Sequence, residues 1–429
     1  MKFLHGKHKV RGVIMPFLAI GMLGIFAMAA LAVDMGHSYV NKARLQNALD
    51  AAALSAGATL IQTSDTTLAA AHAQDTFNAH LVGELASDPM TMNIEFSSTL
   101  VPFTAGSTDP RFVRVTVTDF DRNYFFASVL PNIGNNKVIG ASAVSGPIPL
   151  GGPGAQVCDI APLMVCGDPS DTDPSDDTLY GLSYDDGTGS TPPYCLKASS
   201  SPGGNGNGNG NGNNNGNNGG GINWPANCAN ETLHSNNVDT DIGPGNFQLI
   251  RLGCGPGGNC VRQNLAGAFS SCLAADGASV ATEPGNTVGP TAQGFNTRFG
   301  HYQGNVSRTN FPPDLVTTEN ISYNEYLNRY ATQNYDHQDG APFRRVMNVP
   351  IGDCGANTVG SGQTNVPVLA IGCFFMTEAT IGNGQNNWIR GSLLESCLSS
   401  GSPGSNPGSL DDGSPVKIIL YKDPNNTSS

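Results

Sequence analysis

The stretch that decides the fold is VIMPFLAIGMLGIFAMAALAV, residues 13–33, which runs for 21 residues without a charge. As a helix it would span roughly 31 Å, close to the thickness of the hydrocarbon core of a membrane. Four basic residues precede it with no acid among them, namely Lys2, Lys7, Lys9 and Arg11. Basic residues favour the cytoplasmic end of a span. The pattern predicts a cytoplasmic tail over residues 1–12, a transmembrane helix over 13–33 and an extracytoplasmic chain from Asp34 onward.

A cleaved secretory signal is the competing interpretation of the same stretch. Ala27-Met28-Ala29 fits a small-x-small cleavage site loosely. A signal would have a shorter apolar region, however, and its helix would not continue into the mature chain. Helical periodicity does continue past Asp34, so we expect the anchor to be retained.

Charge and composition narrow the class of protein. The 429 residues carry a net charge of −13, and only 13% of them are charged. Beyond residue 11 the chain holds 17 basic and 34 acidic residues, a net charge of −17. Such an acidic chain does not bind nucleic acid through general electrostatics. The length allows two or three domains.

An amphipathic helix is predicted to follow the apolar run over residues 34–61. Leu45, Leu49, Ala52 and Ala56 recur at i, i+4, i+7 and i+11, which is helical periodicity with a stripe of small and apolar side chains. The stripe predicts a packed face, either against the chain's own domain or against a partner helix.

These residues carry a resemblance to a known family. The matching elements are Arg11-Gly12, Pro16, Ala32-Val33-Asp34-x-Gly36, Tyr39 and Leu45-Gln46-Asn47-Ala48-x-Asp50-Ala51-Ala52-Ala53-Leu54. Residues 11–60 closely resemble the N-terminal module of TadG-like proteins, which belong to the Tad (Flp) pilus-assembly system of bacteria. The resemblance implies a protein of the cytoplasmic (inner) membrane, engaged in pilus assembly or adhesion and not an enzyme. The partners it implies are other pilus-assembly proteins, with surfaces or further copies of the chain left open.

Two features depart from what the resemblance implies. Pilins of this system are cleaved after a glycine that is followed five residues later by glutamate, but Phe17 stands five residues after Gly12. We therefore expect no prepilin-type cleavage. Many TadG-like proteins also carry an Asp-x-Ser-x-Ser metal site, and this sequence has none outside a superficial likeness at residues 34–38.

A helical stalk, formed by the helix after the apolar run, and a small α+β unit are together predicted over residues 34–147. A helix is expected over 68–85 and a helical turn over 124–130, and strands are expected over 90–98, 111–118 and 137–144. The part beyond residue 60 resembles TadG-like proteins less specifically. Proline and glycine then predict a linker over residues 148–154.

The remainder, residues 155–429, is predicted to be a β-rich ectodomain with long loops, which makes the whole chain α+β. The expected strands are 247–252, 345–351, 366–376, 388–394 and 416–421, and the expected helices are 261–273 and 323–332. Residues 203–221 contain only glycine and asparagine. Such a tract buries nothing, so we predict a flexible loop.

Ten cysteines all lie on the predicted outer side: Cys158, Cys166, Cys195, Cys228, Cys254, Cys260, Cys272, Cys354, Cys373 and Cys397. An even number in an extracytoplasmic region predicts disulfides, although spacing alone does not set their connectivity. Cys195 and Cys228 flank the glycine–asparagine tract, which motivates the hypothesis that they bridge its base. Thiolate metal binding is the alternative, but no C-x-x-C pair or zinc-finger spacing occurs.

Two further stretches are candidate sites. Asp168, Asp171, Asp173, Asp176 and Asp177 could together hold calcium, although their order lacks the EF-hand spacing and two prolines favour an exposed acidic loop. Residues 253–258, GCGPGG, match a dinucleotide-binding fingerprint formally. Cys254 and Cys260 favour a disulfide-pinned glycine turn instead.

No catalytic or cofactor signature occurs: G-x-S-x-G, H-E-x-x-H and the P-loop lysine motif are all absent from the sequence. We therefore predict a non-enzymatic, membrane-anchored protein without a cofactor, acting through protein–protein contacts. Two alternatives stay open at this point. One is a surface adhesin secreted after signal cleavage, and the other is an envelope hydrolase with an unrecognised site.

Overall fold

The computed structural model describes most of the chain outside its first residues and several loops. The described residues are 14–87, 90–123, 126, 136–171, 178–185, 194–200, 249–255, 258–283, 288–354, 363–380, 386–406, 408, 410 and 413–423. They form two compact units. Unit 1 comprises Met1–Gly57, Thr66–Gly146 and Leu420–Ser429, and unit 2 comprises Ala58–Asp65 and Pro147–Ile419.

Five α-helices and fifteen strands are described, numbered here in chain order. The helices are α1 (Ile14–Thr63), α2 (Thr66–His80), α3 (Gly258–Gln263), α4 (Val288–Phe295) and α5 (Tyr323–Ala331). The first seven strands are β1 (Met92–Ser97), β2 (Phe112–Asn123), β3 (Asn136–Pro149), β4 (Gln156–Cys158), β5 (Val165–Gly167), β6 (Thr178–Leu179) and β7 (Leu182–Ser183). The others are β8 (Tyr194–Ser200), β9 (Cys272–Ala274), β10 (Ser279–Ala281), β11 (Val346–Asp353), β12 (Asn365–Met376), β13 (Asn386–Leu394), β14 (Gly401–Ser402) and β15 (Val416–Tyr421).

Unit 1 combines two helices with a four-stranded sheet of order β1-β2-β3-β15. Strands β1 and β3 both pair antiparallel with β2. Val113, Val115 and Val117 alternate along β2 and are completely buried, as expected for a strand with one apolar face. The predicted helix over 68–85 ends early, at His80, and a short 3-10 helix, Gly83–Ala86, follows it. Gly83 has a φ of +62°, a backbone conformation that favours glycine and interrupts a helix.

Unit 2 is β-rich, as predicted. Its main sheet has the order β5-β11-β12-β13-β8, with β10 also pairing with β12. The long central strands β11, β12 and β13 pair antiparallel. They carry the core, in which Val349, Phe374 and Leu393 are completely buried. A three-stranded sheet β14-β4-β9 and a β6-β7 hairpin complete the described part of the unit.

Several predicted boundaries differ from the structure. Strand β3 continues to Pro149, so the predicted linker over 148–154 overlaps its end, and Leu150 is completely buried. Strand β15 is expected within the ectodomain, yet it lies next to β3 in the four-stranded sheet, and its last two residues, Leu420 and Tyr421, belong to unit 1. Local composition marks proline and glycine as breakers, but it does not show that a neighbouring strand pairs with them.

Two predicted elements of unit 2 need correction, and one of its helices was not predicted. The described part of the strand predicted over 247–252 makes only isolated bridges, at Leu249 and Ile250. The helix predicted over 261–273 is replaced by α3, a π-turn and strand β9, because Gly267 takes a φ of +107° that ends the helix. Helix α4 is not predicted, since Gly289 and Pro290 weaken its helical signal. The predicted turn over 124–130 lies outside the described residues except Phe126.

Candidate functional site

The first half of α1 is an exposed apolar surface. From Met15 to Val33 its large apolar side chains are 40–75% exposed. By length and composition, α1 qualifies to cross a membrane, and within the described residues it is the sole helix that does. Lys2, Lys7, Lys9 and Arg11 lie outside the described residues, so the orientation of the span stays a prediction.

Polar residues of α1 begin directly after the apolar run, and several meet partners within unit 1. Asp34 is 3% exposed, and both its carboxylate oxygens accept the backbone N–H of Phe126, at 3.1 and 3.3 Å. His37 Nε2 lies 2.9 Å from Glu84 Oε2, and Asn41 donates to the same oxygen at 3.1 Å. The surroundings of the helix therefore change at Asp34. Before it the apolar side chains are exposed, and after it polar side chains contact other segments of unit 1.

The predicted apolar stripe packs against the chain's own domain. Leu45, Leu49, Ala52 and Ala56 are all completely buried. Two hydrogen bonds tie this part of α1 to β3. Gln46 Nε2 donates to Ser142 O at 2.8 Å, and Ser145 Oγ donates to Ala53 O at 2.5 Å. Alanines in the stripe allow this close approach between helix and sheet, and the stripe is not a free face for a partner helix.

Helix α1 has an exposed apolar first half and a buried, alanine-rich second half. This helix is the part of the chain that resembles known proteins. Residues 12–59 match the family model of putative Flp pilus-assembly TadE/G-like proteins. The match confirms the resemblance seen in the sequence over this Tad-like module. It ends at residue 59, so the weaker resemblance up to residue 147 stays a prediction. Searches with the whole chain match no curated protein and no solved structure.

The buried stripe of the Tad-like module gives a direct prediction. Replacing Leu49 with alanine is expected to lower the free energy of unfolding of unit 1 by about 2–5 kcal/mol, because the cavity left behind cannot fully close. Asn47→Ala, at an exposed position two residues earlier, is the matched control and should leave unfolding unchanged. Urea unfolding of the full chain in detergent, followed by circular dichroism, measures both. Equal midpoints for the two variants would contradict the packing assigned to the stripe.

Four disulfides are described, and all of them lie within unit 2. The pairs are Cys158–Cys272, Cys166–Cys354, Cys254–Cys260 and Cys373–Cys397. Cys195 is also disulfide-bonded. Its predicted partner Cys228 lies outside the described residues, so that pairing stays a prediction. The described cysteines thus form disulfides, and the described part of the chain holds no group of three or more metal-ligating side chains.

The described part of the acidic loop is a hydrogen-bonded turn. Asp168 Oδ1 accepts from the backbone N–H of Ser170 at 2.8 Å and from its hydroxyl at 2.6 Å. These bonds lower the pKa of Asp168. Asp171 Oδ2 accepts the backbone N–H of Gly181 at 2.7 Å. Asp173, Asp176 and Asp177 lie outside the described residues, so calcium binding by the five carboxylates stays a prediction.

The glycine-rich stretch at 253–258 is pinned as predicted. Cys254 and Cys260 form a disulfide across it, and Gly253 has a φ of +77°. Helix α3 begins at Gly258 and has only six residues. This short, cross-linked turn does not reproduce the strand–turn–helix unit that binds a dinucleotide.

A buried arginine forms the polar centre of unit 2, and the sequence did not indicate it. Arg345 is completely buried. Its guanidinium donates to four backbone carbonyls, at 2.9–3.1 Å, those of Met376, Val316, Thr318 and Thr377. The group also lies 4.7 Å from the ring centre of Phe375 and 4.8 Å from that of Phe299. One side chain therefore ties together three segments that are distant in sequence.

Asp314 supplies the negative charge near this arginine. It is completely buried and accepts the backbone N–H groups of Val316 and Arg345 and the hydroxyl of Tyr326. Burial raises the pKa of Asp314 to about 6, and burial lowers the pKa of Arg345 to about 10. Both groups are therefore charged at pH 7. The Arg344-Arg345 doublet, in a region with few basic residues, was the available signal.

The pKa of Asp314 predicts a pH dependence of stability. Its folded-state value of about 6 lies above the ordinary 3.8, so its contribution stabilises unit 2 fully below about pH 4 and is lost as the pH rises through 6. Lowering the pH from 7 to 5 should stabilise the wild-type chain relative to Asp314→Asn. Urea unfolding of both proteins at the two pH values measures this difference. Parallel pH profiles would contradict it.

A cavity of about 620 Å³ in unit 2 is lined by polar side chains that include Arg298, Arg344, Asn264 and Asn348. Arg298 donates to the carbonyls of Arg344 and Leu265, and Arg344 donates to those of Pro312 and Ala266. Both guanidinium groups therefore hold backbone segments of unit 2 together. Two residues before Arg298, the side chain of Asn296 exchanges two hydrogen bonds with the backbone of Thr380.

Proposed function

We propose that the chain is a single-pass, membrane-anchored component of a bacterial Tad/Flp pilus-assembly system that acts without enzymatic activity. One observation carries the proposal. The Tad/Flp pilus-assembly-like domain coincides with a helix whose first half is exposed and apolar and whose second half is buried in unit 1. An exposed apolar half of this length fits a membrane, and a buried half fits a rigid stalk.

In this proposal the bulk of the chain projects from the outer face of the cytoplasmic membrane. The basic residues at the N-terminus support that orientation. Disulfides support it too, since they persist in oxidising compartments outside the cytoplasm. The disulfide-stabilised unit 2 would then make protein–protein contacts with other pilus-assembly proteins or support adhesion.

The pilus role is tested in a bacterium that makes Flp pili and encodes this chain. Deleting its gene should reduce the number of surface pili, and the full chain should restore them. A chain beginning at residue 35 should not restore them, because it lacks the anchor. Normal piliation in the deletion strain would reject the role.

The anchor is tested separately by alkaline extraction of membranes. Leu23→Lys with Phe26→Lys places two charges in the apolar run, each costing about 2.5–3.5 kcal/mol at the centre of a bilayer. This variant should leave the membrane fraction, whereas Asn47→Lys, on an exposed position of the stalk, should remain. Retention of the double variant, or a mature N-terminus between Gly12 and about Asp34, would reject the permanent anchor and favour the secreted adhesin.

A further inference from the structure

Exposed apolar side chains of the described residues gather at one end of unit 1. Among the described residues outside the apolar run, eight large apolar side chains are exposed, and none of these eight lies in unit 2. Six of the eight form a group that we call the apolar collar: Met35, Tyr39, Val40, Val82, Phe126 and Val138. They are 44–76% exposed.

Phe126 is held at the level where the apolar run ends. Its backbone N–H donates to both carboxylate oxygens of Asp34, the first residue after Val33. Asp34 is itself 3% exposed. The side chain of Phe126 is nevertheless 52% exposed. The backbone of Phe126 is therefore anchored beside the end of the apolar run, while its aromatic ring is exposed.

Val138 lies at nearly the same level, as the register between α1 and β3 shows. Ser142 is bonded to Gln46 and Ser145 to Ala53, so the strand and the helix run side by side in the same direction. Val138 precedes Ser142 by four residues, or roughly 13 Å of strand. That distance equals about nine residues of helix, which places Val138 level with His37.

Val82 joins the same level from a third segment. It directly precedes the 3-10 helix in which Glu84 contacts His37 and Asn41. Met35, Tyr39 and Val40 lie on α1 itself. Four segments that are separate in sequence thus present exposed apolar side chains around one short stretch of α1.

This stretch begins within the headgroup layer of a membrane that the apolar run would span and ends at its outer edge. Met35 and Tyr39 lie about 3 and 9 Å beyond Val33 along the helix, and the headgroup layer is roughly 5–8 Å thick on each side. Tyrosine is favoured in this layer, and phenylalanine occurs on apolar surfaces that lie at the boundary between headgroups and acyl chains. We propose that the apolar collar docks unit 1 onto the headgroup layer at the exit of α1, with Asp34 positioning Phe126 there.

The lipid surface is the occupant because the collar is continuous with the apolar run. Any bilayer that surrounds residues 13–33 must end beside these six side chains. The inference rests on the proposed membrane anchor. It adds that unit 1 lies against the bilayer and does not swing freely on its helix.

The test places a tryptophan in the collar of the full chain, reconstituted in phosphatidylcholine–phosphatidylglycerol vesicles. Phe126→Trp should lose emission when the lipids are brominated near the headgroup end of the acyl chains, and should be protected from the aqueous quencher acrylamide. The native Trp224 and Trp388 give the background, measured on the wild-type chain.

Val101→Trp is the matched control, because Val101 is 72% exposed and precedes the opposite end of β2. That strand has 12 residues, which puts its ends roughly 36 Å apart. Val101→Trp should be quenched by acrylamide and not by brominated lipid.

Three results would overturn the inference. In the first, the chain stays in the vesicles, but acrylamide quenches the tryptophan of Phe126→Trp and brominated lipid does not. Unit 1 then does not touch the bilayer, although the anchor is retained. If Phe126→Trp is protected from both quenchers, a protein surface such as a second copy covers it. If the chain does not stay with the vesicles, the anchor and the collar both fail.

A second pair of variants tests the role of Asp34 as a positioning residue. In the Phe126→Trp background, Asp34→Ala removes the acceptor of the backbone N–H and should weaken quenching by brominated lipid. Asp34→Asn keeps one oxygen acceptor and should retain most of it. Equal quenching in all three proteins would remove Asp34 from the proposal.

Discussion

Replacing Arg345 with methionine is expected to lower the free energy of unfolding of unit 2 by about 3–5 kcal/mol, because it leaves a buried charge without its partner. Methionine restores much of the apolar bulk and none of the donors. Four buried carbonyls lose their hydrogen bonds. Arg345 also lowers the pKa of Asp314, so without this cation the carboxyl either stays charged without compensation or takes up a proton, and both cost stability.

Two further variants separate the causes of that loss. Arg308→Met removes an arginine whose ion pair with Asp339 lies at the surface, and it should leave unfolding unchanged. Adding Asp314→Asn to Arg345→Met should recover part of the loss, because the uncompensated charge is gone. Urea unfolding of the full-length proteins in detergent measures all of them. A loss as small as that of Arg308→Met would contradict the central role of Arg345.

Removing the Cys166–Cys354 disulfide is the second change with a large expected effect. This bridge joins residues 188 apart in sequence, so it restricts the unfolded chain strongly. On the chain-entropy model, replacing both cysteines with alanine should cost about 4–5 kcal/mol, allowing for the remaining bridges. For a domain of this size that corresponds to a fall in Tm of roughly 10–20 °C.

The Cys254–Cys260 bridge provides the matched control within the same unit. Its cysteines are only six residues apart, so the same replacement should cost about 2 kcal/mol. Differential scanning calorimetry under non-reducing conditions compares the two double variants. If the short bridge stabilises as much as the long one, restriction of the unfolded chain is not the source of the stabilisation.

Much of unit 1 could be predicted from the sequence because its signals are local. The apolar run and the 3.6-residue stripe each predict a helix from neighbours along the chain, and the structure shows one helix, Ile14–Thr63. The valines of β2 alternate and predict a strand in the same way. The predicted ends of strands were wrong where pairing with another strand sets them. Strand β3, for example, continues through glycine and proline beside its neighbour in the sheet.

In the Tad-like module, too, local features could be predicted and long-range contacts could not. The apolar run and the stripe at Leu45 and Leu49 could be assigned from periodicity. The partners of Asp34 and Asn41 could not, since Phe126 lies 92 residues from Asp34 and Glu84 lies 43 from Asn41. Clustering in sequence likewise does not show which groups a carboxylate contacts, since Asp168 and Asp171 accept hydrogen bonds from Ser170 and Gly181.

The sequence by itself determined that this chain carries an apolar helix long enough for a membrane, a Tad-like module around it and a cysteine-rich, β-rich remainder. Hydropathy and periodicity encode such features within one or two turns of chain, so no tertiary contact is needed to infer them. Only the tertiary structure decided which cysteines pair, that Arg345 and Asp314 share one core, and that six apolar side chains from four segments surround the end of the apolar run. Those facts depend on chain topology, which brings residues together across separations that local patterns do not record.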